Sequence, residues 1–229
     1  MKNNTQINFN IKPKICVSVA ESSLSLTKKS AKRAIDDGAD LVELRLDFLS
    51  SIEPTRIKKE FEKISEKVIL TVRRKDEGGK FKGSEAKRIE LIEQLEDVNN
   101  SLIDIELRTI LENKKKINQK KNTIVSWHDF NKTPRSNKLE KLTKLSSRYG
   151  KYVKIVSTAQ TLQDNRRIIE LYTKQRKGKL IAFCMGDKGS ISRIISPLVG
   201  APIVFAYHKK KIAPGQLSLN ELKILYGEE

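Results

Sequence analysis

Short apolar segments rich in β-branched residues alternate with amphipathic helical segments along almost the whole chain, and this alternation restricts the fold more than any other feature. The predicted strands are apolar on both faces, which is typical of a parallel sheet covered by helices. They span residues 15–19, 41–46, 68–72, 102–105, 123–127, 152–156, 180–183 and 202–206. The predicted helices follow at 27–37, 54–64, 85–95, 137–147, 162–174, 191–199 and 219–225, with a Lys-rich helix that ends near residue 119 after the fourth strand.

Eight strand–helix pairs in 229 residues predict an α/β chain folded as a (β/α)8 TIM barrel, near the small end of its size range. A doubly wound open sheet is the alternative, but eight strands without a glycine-rich loop after the first one argue against it. Nothing in the sequence marks a domain boundary. We therefore expect residues 1–229 to form a single barrel domain, with residues 1–13 as an N-terminal lead segment that is compatible with a short hairpin.

The charge of the chain bears on its partners. Its 46 Lys and Arg residues outnumber its 28 Asp and Glu residues, a formal net charge of +18 that permits nucleic-acid binding. The excess is mostly lysine in clusters at 114–116, 120–121 and 209–211, without an RGG run, zinc-finger spacing or RNP-like aromatic motif. Such clusters usually form a solvated face, while the overall field favours an anionic substrate. We expect a small-molecule substrate and no nucleic-acid partner.

Several features indicate a cytoplasmic protein without a membrane partner. No apolar run approaches the roughly 18–20 residues needed to cross a bilayer, and the polar first residues lack the apolar segment of a signal peptide. Cys16 and Cys184 are far apart and each lies in an apolar stretch, so we expect buried, reduced thiols.

Charged residues stand where the predicted strands end, and the active sites of such barrels lie at the carboxyl ends of their strands. Glu43, Arg45 and Asp47 alternate with leucines, so we expect the three side chains to point the same way into a polar interior. A structural ion-pair network at the barrel mouth is the alternative. Asp104 and Glu106 share one side of the fourth strand in the same manner.

Two of these positions suggest chemistry. His128 follows the fifth strand, where a general base would be expected, whereas His208 abuts a lysine cluster and is expected at the surface. Lys154 stands in mid-strand among apolar neighbours. A desolvated lysine near other cations has a lowered pKa, and its neutral amine attacks carbonyls. A buried, ion-paired lysine is the alternative. The converging arginines indicate an anionic group, most simply a carboxylate.

At these positions the chain resembles the type I 3-dehydroquinate dehydratase family, over about residues 14–219. The matching motifs are Lys14-Ile15-Cys16-Val17-Ser18, Glu43-Leu44-Arg45-Leu46-Asp47, Thr71-Val72-Arg73 with Glu77-Gly78-Gly79, Asp104-Ile105-Glu106-Leu107, Ser126-Trp127-His128-Asp129-Phe130 with Thr133-Pro134, Val153-Lys154-Ile155, Met185-Gly186, Ser192-Arg193 and Ala213-Pro214-Gly215-Gln216. Each motif is short, but together they follow the order of the predicted strands, which makes the match specific.

The resemblance implies a cytoplasmic homodimer that dehydrates 3-dehydroquinate to 3-dehydroshikimate through a lysine imine, the third step of the shikimate pathway to chorismate and the aromatic amino acids. It implies no metal or organic cofactor, and the sequence has no His-rich or Cys-rich ligand set. By this match Lys154 is the Schiff-base lysine, His128 the general acid/base and Glu77 the carboxylate that orients the histidine. The implied substrate-binding residues are Ser18, Glu43, Arg45, Arg73, Arg193 and Gln216, with Arg193 on the carboxylate and Glu43 and Arg45 on ring hydroxyls.

Two positions depart from the family pattern. Ile212 stands where the family commonly has a hydroxyl residue, so we expect one substrate hydrogen bond to be lost, at about 0.5–1.5 kcal/mol, and the KM to rise. Phe183 stands where the family tends to have a second methionine, two residues before Met185.

Two other functions remain as alternatives. A class I aldolase also uses a barrel lysine imine, but it usually recognises a phosphate, and no phosphate-binding glycine-rich loop follows the seventh or eighth strand. A nucleic-acid-binding domain would explain the charge but leaves the mid-strand Lys154 and the ordered strand-end residues without a role.

Overall fold

The computed structural model describes residues 12–96, 100–113, 122–175 and 178–226. The strands are β1 Lys14–Val19, β2 Leu41–Arg45, β3 Val68–Thr71, β4 Leu102–Glu106, β5 Thr123–His128, β6 Tyr152–Thr158, β7 Leu180–Met185, β8 Ile203–Tyr207 and β9 Leu217–Ser218. The α-helices are α1 Leu24–Asp36, α2 Pro54–Phe61, α3 Glu85–Leu95, α4 Leu107–Glu112, α5 Ser136–Ser146, α6 Leu162–Ile169, α7 Ser190–Leu198 and α8 Leu219–Tyr226. The predicted hairpin of the lead segment lies outside the described residues, as do two of the lysine clusters, 114–116 and 120–121.

The strands are parallel and lie in the order β7-β6-β5-β4-β3-β2-β1-β8-β9. Because β1 pairs with both β2 and β8, the sheet curls round in the sequential order of a (β/α)8 barrel, which confirms the predicted fold. The ladder ends at β7. Other contacts connect β7 with β8. The rings of Phe183 on β7 and Phe205 on β8 lie 6.4 Å apart, and the Gly178 N–H donates to the Gly200 carbonyl at 3.3 Å.

The barrel interior is filled by apolar side chains drawn from every one of the first eight strands. One buried cluster contains Cys16, Leu41, Ile69, Leu102, Ile124, Val156, Ile181 and Ile203, one residue from each strand from β1 to β8. The alternate residues face the helices; Val17, for example, belongs to the same buried cluster as Ala31 and Ala34 of α1. The floor of the barrel is therefore packed. Cys16 and Cys184 are buried free thiols, as expected.

The predicted helix ends are confirmed in part. Pro54 stands in the first turn of α2, and the Ser84 side chain caps α3 by accepting the Lys87 N–H at 3.2 Å. The predicted helix at 54–64 is shorter, because the chain continues as a 3-10 helix over Glu62–Lys67. Apolar spacing alone does not separate the two helix types, since one turn of each places similar residues inward. Similarly, α6 gives way to a 3-10 helix over Glu170–Lys174.

Several strand ends also differ from prediction by one or two residues; β2, for example, ends at Arg45, and β7 continues through Met185. β5 continues through His128, and β6 continues through Thr158, because the backbone ladder persists where the apolar pattern stops. The two-residue β9 was not predicted, since it is too short to show a periodic pattern. No helix within the described ranges combines the length and apolarity needed to cross a membrane.

Candidate active site

All the predicted site residues line one cleft at the carboxyl end of the barrel. These residues are Ser18, Glu43, Arg45, Arg73, Glu77, His128, Lys154, Arg193 and Gln216. The apolar part of the wall is formed by Phe130, Val156, Phe183, Met185, Phe205 and Ile212. Residues separated by almost 200 positions therefore converge because each lies in one of the parallel strands or in the segment that follows one.

Lys154 occupies the middle of β6 and is only 4% exposed. Its Nζ lies 3.1 Å from Asp104 Oδ2 and 3.4 Å from Glu43 Oε1, and 4.0 Å from the centre of the Phe205 ring. Glu43 in turn accepts the Ser18 hydroxyl at 2.7 Å. Lys154 is therefore ion-paired with Asp104 and Glu43, as the alternative prediction states. It also lines the cleft, where a bound molecule could reach it.

Arg73, which lines the cleft, belongs to a network of buried charges. Its guanidinium contacts Asp104 at 2.8 Å, Glu106 at 3.0 Å and the Ser126 hydroxyl at 2.7 Å. Burial alone would raise the pKa of Asp104, but Arg73 and Lys154 outweigh it and hold that pKa below its ordinary value. Asp104 is therefore ionised beside Lys154.

Four members of this network, Asp104, Glu106, Ser126 and Arg88, were not among the predicted site residues. Asp104 was placed on the fourth strand but not among the site residues, although its alternation with Glu106 was visible. Arg88, on α3, is 1% exposed and donates to Glu106 at 3.0 Å and to the Val72 carbonyl. A helical arginine in a charged sequence carries no signal that it will be buried.

Asp47 corrects the predicted alternation along the second strand. β2 ends at Arg45, and a 3-10 turn over Leu46–Phe48 directs Asp47 out of the strand pattern. Its buried carboxylate instead accepts Arg45 at 2.9 and 2.8 Å and the Lys80 N–H at 2.9 Å. Glu43 and Arg45 line the cleft as expected, and Asp47 fixes the orientation of Arg45.

His128 and Glu77 form a buried pair at the other side of the cleft. Glu77 Oε2 lies 2.8 Å from His128 Nδ1 and also accepts the His128 backbone N–H at 3.0 Å. Burial and the cations Arg73 and Lys154 hold the pKa of His128 well below its ordinary 6.5. Nε2 makes no hydrogen bond to any described residue, so a neutral imidazole presents this nitrogen to a bound molecule.

Two glycines after Glu77 allow this contact. Glu77 ends a 3-10 turn, and Gly78 follows with a φ of +78°, where a β-carbon would strike the Phe130 ring. A β-carbon on Gly79 would lie 1.9 Å from the Arg73 carbonyl oxygen. The turn therefore needs glycine at both positions to bring the carboxylate against His128.

Arg193 is a buried cation that has no carboxylate partner among the described residues. It is 4% exposed, donates to the Pro214 carbonyl at 3.3 Å, and lies with its guanidinium carbon 4.3 Å from the centre of the Phe183 ring. Its Nε makes no hydrogen bond, and burial lowers its pKa to about 10. A guanidinium held in this way favours an anionic ligand.

The segment after β8 closes the remaining side of the cleft. Gln216 is buried, and its Oε1 accepts the Ile212 N–H at 3.1 Å and the Ala213 N–H at 3.4 Å. This bonding orients the Gln216 carbonyl towards its own loop. His208 lies outside the cleft; it is half-buried rather than fully exposed, and its Nε2 lies 2.7 Å from Asp37.

Replacing Glu77 with glutamine is expected to make protein stability less dependent on pH. Burial, aided by the Glu106 carboxylate, raises the pKa of Glu77 from 4.5 to about 8. The folded protein therefore retains a proton that the unfolded chain loses, and this stabilisation, complete below pH 4.5, is lost as the pH rises through 8. As the pH rises from 4.5 to 8, the native protein loses this stabilisation and Glu77→Gln does not. The unfolding free energy of the variant should therefore rise by a few kcal/mol relative to that of the native protein.

Urea denaturation at about pH 5 and about pH 9 measures this difference. Glu60→Gln serves as the control, because Glu60 is only half-buried and Lys28 lowers its pKa, so it is ionised at both pH values. A stability difference between Glu77→Gln and the native protein that is the same at both pH values would contradict the raised pKa.

Comparison with known proteins gives a consistent result. The family model for Type I 3-dehydroquinase matches residues 15–228. The 3-dehydroquinate dehydratase of Methanocaldococcus jannaschii is 34% identical over 218 residues, which cover 93% of this chain and 97% of that relative.

Solved structures agree. The 3-dehydroquinate dehydratase from Aquifex aeolicus matches with a TM-score of 0.76 and 31% identity over 93% of this chain and 96% of that one. A type I 3-dehydroquinate dehydratase from Clostridium difficile, solved with covalently modified comenic acid, matches with a TM-score of 0.80 and 25% identity over 95% and 92% of the two chains. On this breadth of match, the chain belongs to the type I 3-dehydroquinase family.

Proposed function

We propose that this protein dehydrates 3-dehydroquinate to 3-dehydroshikimate through an imine on Lys154, as the third step of the shikimate pathway. The observation that carries the proposal is the convergence of a cleft-facing lysine amine, a His–Glu pair and an unpaired buried arginine in one cleft. The names of the relatives support the substrate. The covalently modified ligand of the Clostridium difficile enzyme supports covalent chemistry in this family.

The first step joins Lys154 to the substrate ketone. The neutral amine adds to the carbonyl carbon, and loss of water gives a protonated C=N bond. Asp104 and Glu43, within 3.4 Å of Nζ, accept hydrogen bonds from the amine and balance the positive charge of the iminium. The Phe205 ring, 4.0 Å from Nζ, stabilises the same cation by a cation–π contact of about 0.5–2 kcal/mol.

The second step removes a proton from C2, next to the iminium carbon. His128 takes this proton through Nε2, the C–H electron pair forms a C2=C3 double bond, and the C=N π electrons move onto the nitrogen to give an enamine. Glu77 holds the ring by its Nδ1 contact at 2.8 Å. The imidazolium returns the proton to the C1 hydroxyl as it departs as water, and a second water then hydrolyses the conjugated imine to release the product and Lys154.

The remaining residues position the substrate. Arg193 binds its carboxylate, since it is the cleft cation that lacks a carboxylate partner among the described residues. Glu43 and Arg45 hold ring hydroxyls, Arg45 being fixed by Asp47. Ser18, Arg73 and Gln216 complete the polar wall. Ile212 contributes only a backbone N–H, to Gln216, and no side-chain hydrogen bond.

The direct test of the activity is a steady-state assay of the purified protein with 3-dehydroquinate. The product contains a conjugated enone, so its formation is followed by ultraviolet absorbance. Turnover without an added metal or cofactor supports the proposal. Absence of turnover by the folded protein would contradict it.

Replacing Arg193 with methionine is expected to raise the KM for 3-dehydroquinate by about 10–100-fold with little change in kcat. The carboxylate takes no part in bond breaking, so its contact stabilises the bound substrate and the transition state alike. The variant should fold at least as stably as the native protein, since burial disfavours the charge of Arg193. Arg148→Met, at an exposed position, is the control; an unchanged KM in Arg193→Met would contradict the assignment.

We also propose that residues 1–229 form one barrel domain, and that the protein is a cytoplasmic homodimer that does not act on nucleic acid. Large exposed apolar residues on two helices support a dimer: Ile191 and Leu198 on α7, and Ile224 and Leu225 on α8. The Tyr226 hydroxyl donates to the Ile194 carbonyl and joins the two helices. Sedimentation velocity tests this proposal, and a monomer at micromolar concentration would contradict it.

A further inference from the structure

A second cavity opens beside the active-site cleft. It lies between the carboxyl end of β1, helix α1 and the connection from β8 to β9, and its apolar walls include Val17, Val19 and Phe48. Basic residues from three parts of the chain surround it: Arg33, Lys80, Lys209, Lys210 and Lys211. We call this cavity the basic pocket.

Four of these cations have no ion pair among the described residues: Arg33, Lys80, Lys209 and Lys210. Lys211 differs, because its Nζ lies 5.5 Å from the centre of the Tyr207 ring and it lowers the pKa of Glu221. His208 also lines the basic pocket, but its ring is bound to Asp37.

The carboxylate within the basic pocket does not offset this charge. Glu21 lines the wall and accepts the Ser30 hydroxyl at 2.7 Å. It is one negative charge against four unpaired positive ones.

Four lysines on other surfaces of the described chain have near neighbours of opposite charge, whereas others, such as Lys141 and Lys144 on α5, have no ion pair among the described residues. The pairs are Lys28–Glu60, Lys32–Asp36, Lys87–Glu90 and Lys174–Glu140, at 2.5 to 3.0 Å. At the basic pocket, like charges instead converge on a concave surface. Such a cavity concentrates positive potential, and a bound anion relieves the repulsion between the cations.

We propose that the basic pocket is a second binding site, for a small organic molecule that carries a diphosphate or a similar group with at least two negative charges. The number of unpaired cations matches a multiply charged group, and the apolar wall suits an organic body. Ser18 and Ile212 line both the basic pocket and the active-site cleft, so a molecule bound here would narrow the entrance for the substrate.

Calorimetric titration with inorganic pyrophosphate at about 0.1 M salt tests the site. The double variant Lys209→Gln/Lys210→Gln is expected to bind pyrophosphate about tenfold more weakly than the native protein. Lys141→Gln/Lys144→Gln removes the same charge from the exposed face of α5 and should bind like the native protein. Pyrophosphate should also raise the apparent KM for 3-dehydroquinate in the native protein without changing kcat.

Several results would overturn the proposal. The first is that the native protein does not bind pyrophosphate, and the second is that both double variants bind it equally weakly. The third is that pyrophosphate binds but leaves the KM for 3-dehydroquinate unchanged. Tighter binding of a single-stranded oligonucleotide than of pyrophosphate, lost in the same variant, would instead identify a nucleic-acid surface. Turnover of all three proteins without pyrophosphate, measured in parallel, separates failure of this site from failure of the proposed dehydratase activity.

Discussion

Replacing Lys154 with methionine is expected to reduce kcat for 3-dehydroquinate by on the order of 10⁴-fold or more. Methionine has a similar length and no nucleophilic nitrogen, so no imine forms and the developing carbanion has no electron sink. His128 cannot compensate for this loss, because a proton next to an unactivated ketone is removed slowly even when a base is in place. Steady-state assays at saturating substrate measure the effect.

The same change is expected to destabilise the fold. Lys154 pairs with two buried carboxylates, Asp104 and Glu43, and removal of one partner from a buried ion pair costs about 3–5 kcal/mol. Arg73 remains against Asp104 at 2.8 Å and limits the loss. Circular dichroism must therefore show that the variant is folded at the assay temperature.

Lys151→Met is the matched control, because Lys151 precedes the same strand but is exposed and lies outside the cleft. Its activity should equal that of the native protein. If folded Lys154→Met retained more than about a tenth of the native kcat, imine catalysis by Lys154 would be excluded.

Replacing His128 with glutamine is expected to reduce kcat by about 10²–10⁴-fold, the usual contribution of a positioned general acid or base. Glutamine keeps a polar group near Glu77 but exchanges no proton at this pH. Two proton transfers are affected, at C2 and at the departing C1 hydroxyl. The loss should appear in kcat rather than in KM, since the ring is not proposed to hold the ground-state substrate.

The pH profile distinguishes this role from a structural one. His128 acts as a base when neutral, and burial together with Arg73 and Lys154 holds its pKa well below 6.5. The native kcat/KM should therefore persist as the pH falls below 6.5, and decline only as the pH falls through this lowered pKa. That decline should be absent from the residual activity of His128→Gln.

His208→Gln is the control, because that histidine is bound to Asp37 outside the cleft. Its kcat and pH profile should match those of the native protein. A native activity that already falls with an ordinary histidine pKa near 6.5 would contradict the buried, cation-flanked environment of His128.

The barrel could be predicted from sequence because its determinants are local and periodic. Each strand is a short two-faced apolar run, and each following helix has an apolar stripe, so their order alone specifies the architecture. The nine predicted site residues fall in one cleft for the same reason: a residue at the end of a parallel strand lies at one end of the barrel.

The features that could not be predicted depend on contacts between distant side chains. The pairing of Glu77 with His128, which the family resemblance implied but no residue pattern predicts, joins positions 51 apart, and a turn with Gly78 in the left-handed region makes it possible. Asp47 left the strand pattern because a 3-10 turn began one residue after Arg45. The burial of Arg88 follows from the position of Glu106, on another element.

The central claim is the imine on Lys154, and borohydride reduction tests it most directly. The native protein is mixed with 3-dehydroquinate and borohydride, and its intact mass and peptide map are compared with those of Lys154→Met. The account predicts a stable adduct on the native peptide that contains Lys154, and no adduct on the variant. A folded native protein that turns over 3-dehydroquinate without forming an adduct, or with the adduct on another lysine, would contradict it.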